Sequence, residues 1–314
     1  MSYALALYRH DPMTLAQRWL TMPAEELKRS AYRAAHEGDL ETLCNLTFAH
    51  LTAYGEAGAA VSPNTLRSYR TSISQFVSYC TRQAVNVLRA GAEVGRLWVR
   101  GLESAGKAPA TVRVRLAGVR ALYRALRWAS GVHTDPFLDV KPVKDATPPW
   151  EKRSPYTHGE IEKLLSAAPQ PFQRLILLCA HGGLRISEAL NLKGSDLRPD
   201  DRVLIVREGK GRKTRRVVMS QTLYGSLRGL ATGADALMNL TYQAARRGLK
   251  ALCGATGTTY RAWHSMRHYS GTRLIRETGD LDRVARHLGH ADLATARIYA
   301  KWSEEALHST VGQW

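Results

Sequence analysis

Four short stretches in the second half of the chain carry arginine, lysine, histidine and tyrosine at spacings suited to chemistry on a phosphate group. In the first stretch, GGLRISEAL, Arg185 follows two glycines and Glu188 stands one helical turn further on. A guanidinium at the start of a helix adds its planar donors to free backbone N–H groups, and together they suit a phosphate. A glutamate at i+3 can hold that arginine in place, although most such pairs are ordinary surface ion pairs.

The second and third stretches supply further cationic groups. In EGKGRKT, Lys210 lies between two glycines at a predicted hairpin turn. A lysine there can reach into a groove and donate a proton, and Lys213 is a close competitor for this role. In WHSMRHYSGTRL, His264 and Arg267 stand one turn apart on a predicted helix.

The third stretch also has the spacing of a metal site. His264 and His268 stand at i and i+4, as two histidine ligands on one helix face do. The glutamate of an H-E-x-x-H zinc site is missing, and Arg267 would place a cation beside the metal. We therefore predict that this pair binds no metal.

The fourth stretch is HLGHADLATARIYAKW, in which His290 is followed nine residues later by Tyr299. A tyrosine hydroxyl has an ordinary pKa of about 10, so it attacks a phosphate only where cations stabilise the phenolate. A packed aromatic side chain is the ordinary alternative for a single tyrosine. Together, however, the four stretches supply what phosphodiester transfer needs. Arginines and histidines stabilise charge on the non-bridging oxygens, and a lysine protonates the departing sugar oxygen.

In their order along the chain, these stretches resemble the motifs of the tyrosine recombinase (phage integrase) family. The resemblance extends over roughly residues 60–310 in layout. Its most specific parts are HGGLRISEAL, the lysine hairpin, HSMRH and LGHADLATARIY. By length and two-domain plan the chain is most similar to the Xer-like and compact integrase branch.

The resemblance implies a role for each candidate around the phosphate. Arg185 and Arg267 would hold the scissile phosphate, and His264 and His290 would form hydrogen bonds to its oxygens. Glu188 matches a family position usually held by an acidic residue that supports the site.

The resemblance also implies the reaction and the partners. Lys210 would act as general acid toward the 5′-hydroxyl, and Tyr299 would form a 3′-phosphotyrosyl link that a 5′-hydroxyl of a partner strand later breaks. Because that link preserves the energy of the phosphate bond, the family needs no cofactor, neither ATP nor a metal. The implied partner is double-stranded DNA with specific recombination sites. A homo-tetramer, with or without a second recombinase, would act on it through a Holliday junction, in Xer-type resolution or in integration and excision.

Composition and charge agree with a nucleic-acid partner. The 314 residues carry a net charge of +18, from 45 Lys and Arg against 27 Asp and Glu. Such an excess attracts polyanions, nucleic acid above all, although a basic protein can also bind ribosomes or acidic membranes. The four cysteines form no CxxC pair, no signal peptide is evident, and no apolar run is long enough to span a bilayer. We therefore expect a cytoplasmic, nucleoid-associated protein with no membrane partner.

A proline-rich, charged segment divides the chain, and we expect residues 139–153 to be an extended linker. Before it, apolar residues at helical spacing predict an all-helical region. The resemblance makes residues 56–138 a core-binding (SAM-like) DNA-binding domain and leaves 1–55 as an N-terminal helical extension. After it, the catalytic domain, 154–314, mixes helices with the β-branched runs RVLIV and RRVVMS. The expected fold is mainly α with a small antiparallel β-sheet in the C-terminal domain, and the resemblance implies a two-domain, C-shaped DNA clamp.

Four arginines form a stripe along a helix predicted over residues 111–130, beside the face that its apolar residues predict to be buried. Few acidic side chains on this helix could pair with them. We therefore predict contact with a row of DNA phosphates rather than a merely solvated face. The four are Arg113, Arg120, Arg124 and Arg127.

Two other functions would use similar residues. A DNA-binding architectural or regulatory protein of the same fold would bind DNA without a covalent link, and its sequence would lack Tyr299 or one of the arginines. A relaxase resembling type IB topoisomerases would share the tyrosine chemistry and relax supercoils as a monomer. The short segment after Tyr299 and the LGHADLATARIY stretch favour recombination.

Overall fold

The computed structural model describes residues 12–148, 154–207, 214–230, 235–289 and residue 299. The chain forms two compact units, residues 1–146 and 147–314. The boundary falls inside the proline-rich segment. Among the described residues, no helix is long and apolar enough to cross a bilayer.

The described residues of the first unit form helices joined by loops and include no strand. Ser62 begins α4 by accepting a hydrogen bond from the Thr65 N–H, and Pro63 occupies the first turn, where a helix needs no N–H donor. Helix α6 ends at Gly131, whose φ of +67° suits glycine. The helices are α1 (Pro12–Leu20), α2 (Ala24–Glu37), α3 (Leu40–Tyr54), α4 (Pro63–Arg82), α5 (Ala92–Ser104) and α6 (Pro109–Ser130), with 3₁₀ turns at Gly58–Ala60 and Val87–Arg89.

Aromatic rings fill the centre of the first unit. Phe76, Trp98, Tyr123 and Phe137 pack edge to face, with ring centroids 5.1–6.0 Å apart. Buried side chains of α1, α2 and α3 belong to the same core. The described helices before residue 56 therefore pack within this unit.

The second unit combines seven described helices with a three-stranded antiparallel sheet of order β1-β2-β3. This confirms the expected fold class, mainly α with a small antiparallel sheet. A capping box formed by Thr157 and Glu160 begins α7 (His158–Ala167). The elements are α7 (His158–Ala167), α8 (Phe172–Ala180), α9 (Ile186–Leu190), a 3₁₀ turn (Gly194–Asp196), β1 (Leu197–Arg198), β2 (Val203–Val206), β3 (Arg215–Val218), α10 (Gln221–Leu227), α11 (Tyr242–Ala255), α12 (His264–Thr278) and α13 (Leu281–Leu288).

Two features of this unit bear on the candidate residues. Helix α8 is buried from Leu175 to Ala180, packs against α12 and leads directly into the glycine turn before Arg185. In the sheet, Val206 pairs with Arg215, so the chain leaves β2 and enters β3 at the same end of the sheet. Lys210 and Lys213 lie between these strands, outside the described residues.

Candidate active site

A glycine turn places Arg185 at the start of α9. Gly183 has a φ of +62°, and a Cβ there would lie 2.6 Å from Cδ2 of Leu288. Glycine is therefore required both by the backbone and by the close approach of α13. Arg185 is the residue before the first turn of α9, and its backbone N–H donates to Glu188 Oε2 over 2.8 Å.

Glu188 is the centre of an ionic network. Besides the Arg185 backbone, its carboxylate accepts hydrogen bonds from Arg185 Nη1 at 2.7 Å and from Arg215 Nη1 and Nη2 at 3.0 and 2.8 Å. Burial acts to raise the pKa of this carboxyl, but the hydrogen bonds and charges of Arg215 and then Arg185 bring it down to about 2. Glu188 is thus ionised at neutral pH and fixes both guanidinium groups.

Arg267 is the most deeply buried of the arginines described at the site. Its side chain is 2% exposed, and Nη1 lies 3.9 Å from Glu188 Oε2. Nη1 also donates to the Gly183 carbonyl at 2.7 Å, and Nη2 donates to the Leu288 carbonyl at 2.6 Å. Burial, with the nearby charges of Arg185 and Arg215, lowers the pKa of Arg267 to about 10. The guanidinium is still positively charged at neutral pH, and it links the glycine turn to the end of α13.

Arg215 belongs to this network although it lies in none of the four sequence stretches. It is the first residue of β3, and its stem packs so closely on Gly289 that a Cβ at that position would overlap with it. The signal that could have found it is the strand alternation. Val217 is buried and Val218 is exposed, so Arg215 falls on the inner face of β3 and Arg216 on the outer face.

Tyr299 lies against α12 in a buried position, 1% exposed, beside Ile275 and Leu288. Gly271 makes this position possible, because a Cβ there would lie 2.5 Å from Cζ of the tyrosine ring. Burial raises the pKa of the Tyr299 hydroxyl, while the charge of Arg267 acts in the opposite direction. The phenol is therefore protonated at neutral pH before any reaction.

Two histidines of α12 lie near the tyrosine. Nδ1 of His268 is 3.1 Å from the Tyr299 hydroxyl. The ring of His264 meets that of His268 edge to face, with centroids 4.6 Å apart. From the sequence alone, His268 was a candidate only as a metal ligand. Among the described residues, no cluster of three or more His, Cys, Asp or Glu side chains could hold a metal ion.

A third histidine, His287, lies in the last turn of α13 and contacts α12. Its Nε2 lies 3.2 Å from Ser270 Oγ, and the side chain is also hydrogen-bonded to the His181 backbone. Burial first, then the charges of Arg215 and Arg267, lowers the pKa of His287 to about 4. His287 is therefore neutral at physiological pH and connects α13 with α12 and the end of α8.

The predicted site residues fall into two groups, those that the structure brings together and those outside its described part. Arg185, Glu188 and Arg267 share one ionic network. His264 lies in the first turn of α12, and Tyr299 packs on the same helix. The site can hold a negatively charged group beside a tyrosine hydroxyl. The residues outside the described part are His290, Lys210 and Lys213.

The four arginines predicted to contact DNA lie on α6 in the first unit and differ in their surroundings. Arg113 and Arg124 are exposed. Arg120 donates to the carbonyl of Phe137 at 2.9 Å and to another carbonyl at 2.8 Å, and Arg127 pairs with Asp135 at 2.7 Å. The guanidinium groups of Arg120 and Arg127 are thus engaged within the unit, while Arg113 and Arg124 remain on its surface.

Sequence comparisons agree with one another. The profile of the Phage integrase family matches residues 156–306, and that of the Phage integrase, N-terminal SAM-like domain, matches residues 53–130. Tyrosine recombinase XerD of Brucella suis biovar 1 (strain 1330) is 30% identical over 293 residues, which covers 82% of this chain and 92% of the relative.

Solved structures share the fold at low identity. XerH site-specific recombinase bound to a palindromic difH substrate, in a post-cleavage complex, aligns with a TM-score of 0.65 at 18% identity over 96% of this chain and 94% of that chain. A lambda integrase tetramer bound to a Holliday junction aligns with a TM-score of 0.62 at 17% identity over 81% and 77% of the two chains.

Proposed function

The chain belongs to the phage integrase family of tyrosine recombinases and is a site-specific DNA recombinase, and we propose that Tyr299 is its nucleophile. The observation that carries this proposal is the proximity of a buried tyrosine to a fixed set of guanidinium groups. Arg267 acts on the Tyr299 hydroxyl through its charge and lies 3.9 Å from the glutamate that holds Arg185. A phosphodiester bound by these arginines would lie beside the tyrosine oxygen.

In the first chemical step, the Tyr299 oxygen forms a bond to phosphorus and the bond from phosphorus to the 5′-oxygen breaks. Lys210, with Lys213 as the alternative, gives a proton to the departing 5′-oxygen. Arg185, Arg267, His264 and His290 stabilise the extra negative charge on the non-bridging oxygens, as donors held in place before the reaction do. The product is a 3′-phosphotyrosyl link and a free 5′-hydroxyl.

The second step reverses the first with a different strand. The 5′-hydroxyl of a partner strand attacks the 3′-phosphotyrosyl phosphorus, and the Tyr299 oxygen leaves and regains its proton. The phosphate bond is exchanged rather than hydrolysed, so the reaction needs no ATP. The arginines and histidines supply the charge stabilisation for which other phosphoryl-transfer enzymes use a metal.

The proposed substrate is double-stranded DNA with specific recombination sites. The net charge of +18 and the exposed Arg113 and Arg124 support contact with phosphates. We propose that four copies act on two sites through a Holliday junction. The similarity to a lambda integrase tetramer on such a junction supports this assembly. The biological setting that fits is Xer-type resolution or integration and excision, in the cytoplasm at the nucleoid.

A plasmid assay tests the exchange itself. Duplexes selected from a random-sequence library by binding to this protein supply the site, and two copies are placed in direct repeat on a supercoiled plasmid. We expect wild-type protein to release a deletion circle and Tyr299→Phe to release none. Relaxation without deletion would favour a type IB topoisomerase activity, and binding without either product would favour an architectural role.

A further inference from the structure

We propose that His268 is a catalytic residue, which takes the proton of the Tyr299 hydroxyl as that oxygen attacks phosphorus. The inference deepens the proposed function and rests on it, because it requires Tyr299 to be the nucleophile. Arginines, a lysine and two other histidines account for the phosphate and the departing oxygen. None of those assignments says where the proton of the attacking tyrosine goes.

The geometry of the pair is that of a base and its substrate. Nδ1 of His268 lies 3.1 Å from the Tyr299 oxygen, within the reach of a general base in hydrogen-bond contact. The two ring centroids are 6.0 Å apart and the rings are tilted by 53°. The phenol donates this hydrogen bond when the imidazole is the tautomer with its proton on Nε2.

The helix fixes both members of the pair. His268 and Gly271 stand at i and i+3 on α12, so they share one face of the helix. The tyrosine ring lies on Gly271, with the position of a missing Cβ 2.8 Å from its hydroxyl oxygen. One face of α12 thus carries Gly271, against which the Tyr299 ring packs, and, one turn earlier, His268, whose Nδ1 contacts the Tyr299 hydroxyl.

The nucleophile needs such a partner. Burial raises the pKa of Tyr299, so the phenol keeps its proton at neutral pH even beside the charge of Arg267. The His268 imidazole, in contact with this hydroxyl, is the kind of side chain that most often accepts such a proton as a general base.

The proton balance is complete over both steps. In the first step the tyrosine proton moves to Nδ1 of His268, the tyrosine oxygen binds phosphorus, and the departing 5′-oxygen takes a proton from the lysine. In the second step the imidazolium returns its proton to the leaving tyrosine oxygen, while the attacking 5′-hydroxyl gives one to the lysine. Among the described residues, His264 faces His268 with ring centroids 4.6 Å apart and Tyr299 faces it with ring centroids 6.0 Å apart, and Arg267 precedes it in the helix.

The chain contains a matched control for an ordinary His–Tyr hydrogen bond. Nδ1 of His158 lies 2.9 Å from the hydroxyl of Tyr269, which follows His268 directly in α12. This second pair lies outside the ionic network of the site. Its loss removes a similar hydrogen bond without touching the nucleophile.

The test measures the rate at which the covalent protein–DNA adduct forms in a single turnover. The substrates are duplexes that carry the selected site. Each has a nick, placed at a different position in each duplex of the series, so that the short strand released by cleavage diffuses away. We expect His268→Ala to lose about 100-fold or more in rate, as removal of a general base does, and to recover rate with added imidazole. His268→Gln, which keeps a polar side chain of similar reach, should fold and bind DNA normally and remain slow. His158→Ala should react at the wild-type rate.

Two results would overturn the proposal. One is a wild-type rate in His268→Ala or His268→Gln. The other is a slow His268→Ala that binds DNA as tightly as wild type but gains nothing from imidazole, which would assign His268 to packing. Absence of an adduct with the wild-type protein would instead contradict the proposed function itself.

Discussion

Arg215 holds both carboxylate oxygens of Glu188, with Nη1 3.0 Å from Oε1 and Nη2 2.8 Å from Oε2. Neither side chain is more than 10% exposed. The pair joins the first residue of β3 to the first turn of α9, and Arg215 also packs on Gly289, the residue before His290. Strand β3, which follows the segment that contains Lys210 and Lys213, is thereby connected to Arg185 through Glu188 and to the end of α13 through Gly289.

This relationship predicts a large effect of Arg215→Gln. Removing one partner of a buried ion pair leaves the other charge under-compensated and costs about 3–5 kcal/mol. We expect lower thermal stability and a loss of covalent adduct formation, measured by calorimetry and by denaturing gel. The neighbour Arg216, 68% exposed and 3.3 Å from Asp201, is the control. Arg216→Gln should change little, and equal effects of the two substitutions would contradict the assignment.

His287 predicts how the folded state responds to acid. Its pKa falls from an ordinary 6.5 to about 4 in the folded protein, because of burial and the charges of Arg215 and Arg267. Between these pH values the unfolded chain binds a proton that the folded chain does not, so stability decreases as pH falls from 6.5 to about 4. Denaturant unfolding across this range should show a weaker pH dependence for His287→Gln than for wild type. The control is His133→Gln, at an exposed histidine, which should leave the pH dependence of stability unchanged. If His287→Gln also left that pH dependence unchanged, the prediction would be wrong.

The position of Gly271 predicts a steric requirement at Tyr299, the proposed nucleophile. An added Cβ would lie 2.5 Å from Cζ of Tyr299, so Gly271→Ala must displace the ring or strain the helix. A displacement of about 1 Å can lower the rate of adduct formation about 100-fold. Gly254→Ala is the control, since nothing lies within 4 Å of a Cβ at that position in α11. A Gly271→Ala protein with wild-type rate would show that the ring does not react from this position.

The arginines of α6 are predicted to have different roles, some in DNA binding and others in the stability of the fold. Substituting exposed Arg113 or Arg124 by Gln should reduce the slope of log affinity against log salt concentration by about 0.9 for each DNA phosphate that the variant no longer neutralises. Arg120→Gln should instead lower stability by about 1–3 kcal/mol, because two carbonyl groups lose their donor. Fluorescence anisotropy at several salt concentrations and thermal unfolding separate the two effects. The opposite pattern, with Arg120 alone changing the salt slope, would contradict the engagement of its guanidinium by the two carbonyl groups.

Local features of the fold were predictable because their signals lie within one or two turns of chain. The helix predicted over residues 111–130 is observed at Pro109–Ser130, and the helix predicted to carry His264 and Arg267 is observed at His264–Thr278. The capping box of α7 and the pair of Arg185 with Glu188 depend only on residues three apart. Such signals survive in any tertiary context that keeps the helix.

Contacts between distant residues were not predictable in the same way. The bond of Arg215 to Glu188 spans 27 residues, and that of His268 to Tyr299 spans 31. Arg120 was predicted to bind a phosphate because helical spacing shows which face of α6 it lies on. The spacing does not show that a later segment of the chain packs over that face. The carbonyls of Phe137 and Val140, which occupy that guanidinium, come from a segment after the helix has ended.

The central claim, that Tyr299 attacks a DNA phosphate, is tested most directly by covalent trapping. Wild-type protein and Tyr299→Phe are incubated with the nicked duplexes in EDTA, and the products are separated on a denaturing gel with label on either side of the cut. We predict a shifted band with wild type alone, carrying the DNA 3′ end, and a proteolytic fragment in which the modified residue is Tyr299. An adduct that persists in Tyr299→Phe, or no adduct on a duplex that the wild-type protein binds tightly, would contradict the claim.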